Sequence, residues 1–424
     1  MKKIILIFMT MVIGISGYAQ QQANKTVNPY RKIMVTAWKL SSRISENPIK
    51  LNYVFDKSFF TAISEDEIVK ILKELYKQNG SVVSITTVTY RSELSGDFLF
   101  HTDKEYAIPV SITINKNGKV TSLFFKPSFG KTLSFNDITK KFESLPYESK
   151  AMLVERYDNI TDKMYSLNED MPIAVGSSFK LYILAYIIEN KLSWSKVINI
   201  LPSDRSLPSG RMQLYPDNAP VTLFSLTEAM ISQSDNTATD TLIRFIGREK
   251  LEKFINSFSE KKDLNVPLLK TSELFKIKSS TDVAEEYIRL DIKGKRKMLD
   301  EIKNKEINID SIDFSRPYMI DSLEWFFSPK DMCNIMSYFK GKNDPYANTI
   351  LSMNTGLDTK TAGYLWAGYK GGSEPGVLST TWFLKANDDR YYCITASVND
   401  SDKNIDEKEY FSIMQDIINI ANKE

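Results

Sequence analysis

The hydrophobic positions of this chain follow two periods, 3.6 and 2, and one early run follows neither. Lys2 and Lys3 precede a continuous apolar segment from Ile4 to Ile15, and Gly17-Tyr18-Ala19 then offers small residues suited to cleavage. Residues 1–19 therefore read as a signal peptide, too short in its apolar part to span a bilayer. No cysteine follows the run, so a lipid anchor is not expected. From Glu65 to Gln78 the spacing of Ile68, Ile71, Leu72 and Leu75 predicts an amphipathic helix with Ser64 as its cap. Four alternating stretches follow, at residues 82–91, 94–101, 106–114 and 119–126, and Asn117-Gly118 marks a tight hairpin between the last two. A helix and an antiparallel meander define a small α+β domain, placed at residues 20–130.

The pattern changes beyond residue 131, where a larger domain is expected to run to 424. Phe179, Leu181 to Ala185 and Tyr186 to Ile188 form an almost unbroken apolar run, which predicts a helix buried on all sides. Val221–Ser232 predicts a helix capped by Thr222. Ala238, Leu242, Phe245 and Ile246 predict another, closed by Gly247. Residues 282–342 read as mostly helical, and the aromatic stretch from Leu323 to Phe327 reads as core. Val377 to Ala386 and Arg390 to Val398 read as buried strands.

Chemistry enters at three points along this pattern. Ser177-Ser178-Phe179-Lys180 opens the buried run, so a serine and a lysine one helical turn apart share a face, and the lysine can take the serine's proton. Free backbone N–H groups and the helix dipole at that end favour an oxyanion. Four other S-x-x-K spacings, beginning at Ser128, Ser193, Ser259 and Ser337, lack this setting and read as solvated faces or turns. The single histidine, His101, lies in a predicted strand with Asp103 near it, and a surface turn accounts for both. A lysine base is thus favoured over a histidine triad, and a histidine-rich zinc site is not available. Ser234-Asp235-Asn236 lies on the short connection between two predicted helices, where polar side chains face a cleft or cap a turn. Lys370-Gly371-Gly372-Ser373 lies near a strand end, where glycines admit a ligand to the backbone or form a hairpin.

In this order the three segments resemble the class A β-lactamase and penicillin-binding-protein superfamily, whose signature is S-x-x-K, S-D-N and K-T-G. The resemblance covers the chain from about Phe135 onward, and it implies an α/β (α+β) fold with an antiparallel sheet, a helical subdomain and a closing helix at Glu407–Ala421. The small preceding domain resembles the cystatin-like or ketosteroid-isomerase-like domain of the serine hydrolase of the clavulanic acid cluster. By resemblance, Ser177 is the acylated nucleophile and Lys180 its base or part of a relay. Ser234 passes a proton to the leaving group. Asn236 binds a substrate amide and helps hold Lys180, while Lys370 attracts a carboxylate and polarises Ser234. The backbone N–H groups of Ser177 and Ser373 form the oxyanion hole, with Gly372 between Lys370 and Ser373.

Two departures from the family pattern bear on function. Gly371 stands where the third motif carries a hydroxyl, and Ser373 could supply one from nearby. The deacylating E-x-x-x-N pattern is absent after the second motif. Glu273 is the only acid in residues 267–278, so it is the candidate base for the deacylating water, or else a charge at a helix start paired with Lys276 or Lys278. With such a base the protein hydrolyses β-lactams quickly. Without it, the acyl-enzyme lingers, as in a penicillin-binding D-alanyl-D-alanine peptidase or an esterase. A non-catalytic β-lactam or peptidoglycan sensor is the third possibility.

Composition narrows the partners. With 55 basic and 53 acidic residues the net charge is +2, and no basic stripe interleaved with aromatics marks a nucleic-acid surface. The expected partner is a small β-lactam, ester or cell-wall peptide, with no cofactor, no metal and no stable membrane insertion. A secreted or periplasmic location follows from the signal peptide. The two cysteines, Cys333 in a helical segment and Cys393 in a strand, could pair in an exported protein, but isolated buried thiols are the favoured reading.

Overall fold

A computed structural model describes residues 29–423, apart from 131–133, 159, 207–208, 260, 262, 304 and 306–314. The signal-peptide segment lies outside the described residues. The chain divides into two compact units, one running to Asp103 and resuming over Val110–Phe125, the other comprising Lys104–Pro109 and Lys126 onward.

In the first unit, helices α1 (Arg31–Ser41) and α2 (Glu65–Asn79) precede strands β1 (Val82–Ser92), β2 (Ser95–Thr102), β3 (Ala107–Ile114) and β4 (Val120–Phe125). The strands form one sheet in sequence order, with each neighbour reached by a short turn. A capping box between Ser64 and Glu67 starts α2, and its buried stripe is Ile68 and Leu72, with Ile71 left exposed. Gly118 takes a positive φ at the β3–β4 turn, as Asn-Gly hairpins require. His101 on β2 meets Thr86 Oγ1 at 3.0 Å, and Asp103 accepts from Ser81 N at 2.8 Å, so the two serve local structure.

The second unit opens with α3 (Phe135–Glu143), β5 (Ser149–Tyr157), β6 (Thr161–Leu167) and β7 (Ile173–Ala174). Next come α4 (Lys180–Glu189), β8 (Val197–Asn199), β9 (Pro220–Thr222), α5 (Leu223–Ser232), α6 (Asn236–Ile246) and α7 (Arg248–Phe258). Helices α8 (Thr271–Lys278), α9 (Thr281–Arg289) and α10 (Ile292–Ile302) follow, then β10 (Phe326–Phe327), α11 (Pro329–Lys342) and α12 (Pro345–Ser352). The chain ends with β11 (Tyr364–Glu374), β12 (Val377–Ala386), β13 (Tyr391–Asn399) and α13 (Glu407–Ala421).

Five of these strands form an antiparallel sheet in the order β11-β12-β13-β5-β6. Successive residues point to opposite faces, and both faces are covered, which is why the central strands β12 and β13 are buried almost throughout. Met152, Val154, Leu384 and Ile394 join Phe142 of α3 and Tyr410 and Met414 of α13 in one core. Ala151, Leu153, Phe383 and Cys393 join α4 and the other helices in a second core. Helix α4 lies inside that second core, with Leu181 to Ala185 fully buried. The 323–327 stretch packs onto the same helix. Trp325 stacks on Phe179 at 4.2 Å and Phe327 on Tyr182 at 4.4 Å.

The cysteines are not isolated thiols. Cys333 of α11 and Cys393 of β13 form a disulfide that ties the helical layer to the sheet. The expectation failed because pairing depends on which helix face meets which strand, and no local pattern across a separation of 60 encodes that.

Candidate active site

Ser177 lies in a short 3₁₀ turn, Gly176–Phe179, that leads into α4. The turn is held from behind by the Trp325–Phe179 stack and by the bond from Val175 N to Trp325 O at 2.9 Å. Ser177 is half-buried, whereas the Lys180 side chain is fully enclosed. Lys180 Nζ donates to Ser234 O at 2.8 Å, Ser234 Oγ at 3.2 Å and Asn236 Oδ1 at 2.7 Å. These bonds satisfy all three donors of an ammonium. Of the three acceptors, the Ser234 hydroxyl is the one able to donate back, so it can adapt when Lys180 gives up a proton. Burial first, and the charge of Lys370 second, hold Lys180 well below its usual range, against the opposing pull of Asp240 and Asp235.

Ser234 sits on the connection between α5 and α6 in a left-handed conformation. Asp235, next in line, caps α6 through Ala238 N at 2.8 Å. Its other oxygen accepts from Arg211 N at 2.7 Å and Met212 N at 2.8 Å. One buried carboxylate therefore ties the start of α6, next to Ser234, to the segment at Arg211 and Met212. Ser209 Oγ adds a bond to Ser234 O at 2.7 Å.

The third segment lies on the edge strand β11. Lys370 Nζ reaches Ser234 Oγ at 3.1 Å and also donates to Gly371 O. Burial lowers Lys370 to about 7. Gly372 lies directly against the nucleophile turn. A Cβ there would overlap Val175 O and Ser177 N, and would stand 2.7 Å from Ser178 N. That close approach brings the backbone N–H groups of Ser177 and Ser373 to one place, since Ser373 N is among the atoms packed on Gly176. The strand end is pinned by the ion pair of Glu374 with Lys278 at 2.5 Å.

These groups border a cleft of about 290 Å³, whose lining includes Ser177, Ser234, Lys370, Gly372 and Ser373. Lys180 stands behind it, bonded to Ser234, and Asn236 accepts a bond from the same Lys180 Nζ. Glu273 is not in the lining. Its carboxylate takes two bonds from Arg248, at 2.5 and 2.9 Å, and one from Lys270 N at 2.8 Å at the start of α8. It is buried at a helix start and paired with Arg248, not with Lys276 or Lys278. Sequence reading did not foresee Ser209, Asn354, Tyr369 or Glu407, which also line the cleft. Each comes from a loop, a strand or a helix start with no chemical signature of its own. Among the described residues, no group of acids, histidines or cysteines is arranged to hold a metal ion.

The site thus sets a serine, with a buried lysine one turn behind it, beside the edge strand of an antiparallel sheet. Residues 145–337 match the family described as the Beta-lactamase enzyme family. No curated protein matches the chain. Among solved structures, the chain is similar to PBP-A in an acyl-enzyme complex with penicillin G, at 15% identity and a TM-score of 0.47, covering 68% of this chain and 96% of that one. It is similar to a β-lactamase of Sphaerobacter thermophilus at 17% identity and a TM-score of 0.46, covering 69% and 97%. A β-lactamase of Chitinophaga pinensis matches at 15% identity and a TM-score of 0.43, covering 68% and 98%.

Proposed function

We propose that the protein is an exported serine hydrolase that forms an acyl-enzyme on Ser177 with a β-lactam or a related cyclic amide or ester. The observation that carries this reading is the convergence of Lys180 and Lys370 on Ser234 Oγ, with Asn236 holding Lys180, behind the turn that carries Ser177. In the first step neutral Lys180 takes the Ser177 proton, and Ser177 Oγ bonds to the carbonyl carbon. The oxyanion is stabilised by the N–H groups of Ser177 and Ser373, each such donor being worth about 3 kcal/mol. The C–N or C–O bond then breaks, and Ser234 delivers a proton to the departing atom, replenished from Lys180. Water hydrolyses the acyl-enzyme and returns Ser177. Export is supported by the leader pattern and by the disulfide, which persists in oxidising compartments. Among the described residues no helix is long and apolar enough to cross a membrane.

A second reading, a penicillin-binding peptidase with slow deacylation, is favoured by one observation. Glu273 is committed to Arg248 and to the α8 start, and so is a poor base for water at Ser177. Intact-mass spectrometry with benzylpenicillin over time, beside Ser177→Ala, tests both. A lasting adduct absent from the variant supports slow deacylation, and drug loss with only a transient adduct supports a β-lactamase. No adduct and no drug loss overturns the acylation reading for β-lactams.

A further inference from the structure

The third motif lacks a side-chain hydroxyl at Gly371, and the space that a side chain would take there is occupied. Tyr369 and Gly371 lie two apart on β11, so their side chains leave the strand on one face. A Cβ on Gly371 would overlap Tyr369 Oη and stand 3.0 Å from its Cζ. The ring is held in that position. It stacks at 5.0 Å on Trp382, its cross-strand partner, and Trp382 Nε1 is bonded to Thr355 O at 2.8 Å. On its other side the ring lies so close to Gly356 that a Cβ there would stand 2.7 Å from Cζ. Tyr369 lines the cleft together with Ser234, Lys370 and Ser373, and its hydroxyl makes no hydrogen bond to any described residue.

We infer that the Tyr369 hydroxyl is a substrate-binding group that replaces the missing hydroxyl of the third motif and donates a hydrogen bond to a carboxylate of the substrate. The carboxylate is the group expected beside it, because Lys370 and the Ser373 hydroxyl border the same stretch of cleft. Burial and the charge of Glu407 both push the phenol upward, so Tyr369 stays neutral and able to donate at physiological pH. A threonine at residue 371 would bring its hydroxyl on a short side chain from the strand itself. Here a rigid aromatic from two residues upstream brings it to the same place, and glycine at 371 is the condition for its fit. The inference rests on the proposed function for the kind of ligand, but binding can be measured without any reaction.

The test is equilibrium binding by calorimetry to Ser177→Ala and to Ser177→Ala/Tyr369→Phe, with benzylpenicillin and with its methyl ester. Phenylalanine keeps the stack on Trp382 and removes only the oxygen, and unchanged melting of the double variant checks the fold. A hydrogen bond to a charged group supports a loss of about tenfold or more for the acid, and less than about twofold for the ester. Equal affinities of the two variants for the acid, equal losses for acid and ester, or no binding to Ser177→Ala would each overturn the inference. Failure of the proposed acylation shows instead as an unmodified wild-type protein by mass, a separate readout that leaves this binding comparison intact.

Discussion

Lys180 and Lys370 converge on a single atom, Ser234 Oγ, at 3.2 and 3.1 Å. Two ammonium groups cannot share that neighbourhood without cost, and both side chains are removed from water. The pair therefore favours one neutral lysine and one charged one. Burial and the charge of Lys370 set Lys180 well below its usual range, which suits it to act as the base.

Removing the second charge should move the first group's titration. Lys370→Ala deletes the like charge that depresses Lys180, so the pKa of Lys180 rises and the acid limb of the acylation rate shifts to higher pH. The rate of Ser177 adduct formation with a neutral activated ester, followed by mass from pH 5 to 9, checks this. An acid limb at the same pH in wild type and variant would mean that the coupling is absent.

Lys370 itself gives a second pH signature. Its folded value is about 7, so it is charged below that pH and neutral above it. The second-order acylation constant for a substrate bearing a carboxylate should fall as pH rises through about 7, because that constant reports the free enzyme. A bound carboxylate favours the ammonium, so the first-order rate at saturation should keep its plateau to higher pH. The methyl ester of the same substrate should show no fall at 7.

Glu273 is predicted to matter for stability and not for turnover. Glu273→Gln leaves the Arg248 guanidinium partly buried without its charge partner, which should lower stability by about 2–3 kcal/mol. The lifetime of the Ser177 adduct should change by less than about twofold. An adduct that persists a hundredfold longer would restore Glu273 as the base for water.

Glu407 lies along the cleft near Tyr369 and opposes an anionic substrate. It is exposed, so the effect is modest and salt-dependent. Glu407→Gln should improve acylation by a carboxylate-bearing β-lactam about two- to threefold at low salt, and scarcely at all at high salt.

The disulfide closes a loop of 60 positions, and in the chain-entropy account its loss should cost about 4 kcal/mol. Cys333→Ala/Cys393→Ala should melt well below the oxidised wild type, and the reduced wild type should melt near the double variant. A melting temperature unaffected by reduction would show that the two layers hold together by packing alone.

The sequence by itself determined many of the elements and the candidate site residues. Strand and helix periods placed β1–β4, α2 and α4 within a residue or two, and all of these but the half-exposed β1 bury one face or are buried throughout. The run Ser177 to Lys180 was legible as a candidate site, because a serine and a lysine one turn apart share a face and local geometry fixes their relation. What only the tertiary structure decided were relations between distant elements: the partner of Glu273, the pairing of Cys333 with Cys393, and the filling of the space over Gly371 by Tyr369. The physical reason is common to all three. A hydrogen bond, a disulfide or an excluded volume is a property of two surfaces brought together by packing, and a periodic pattern specifies which face is buried without naming what it is buried against.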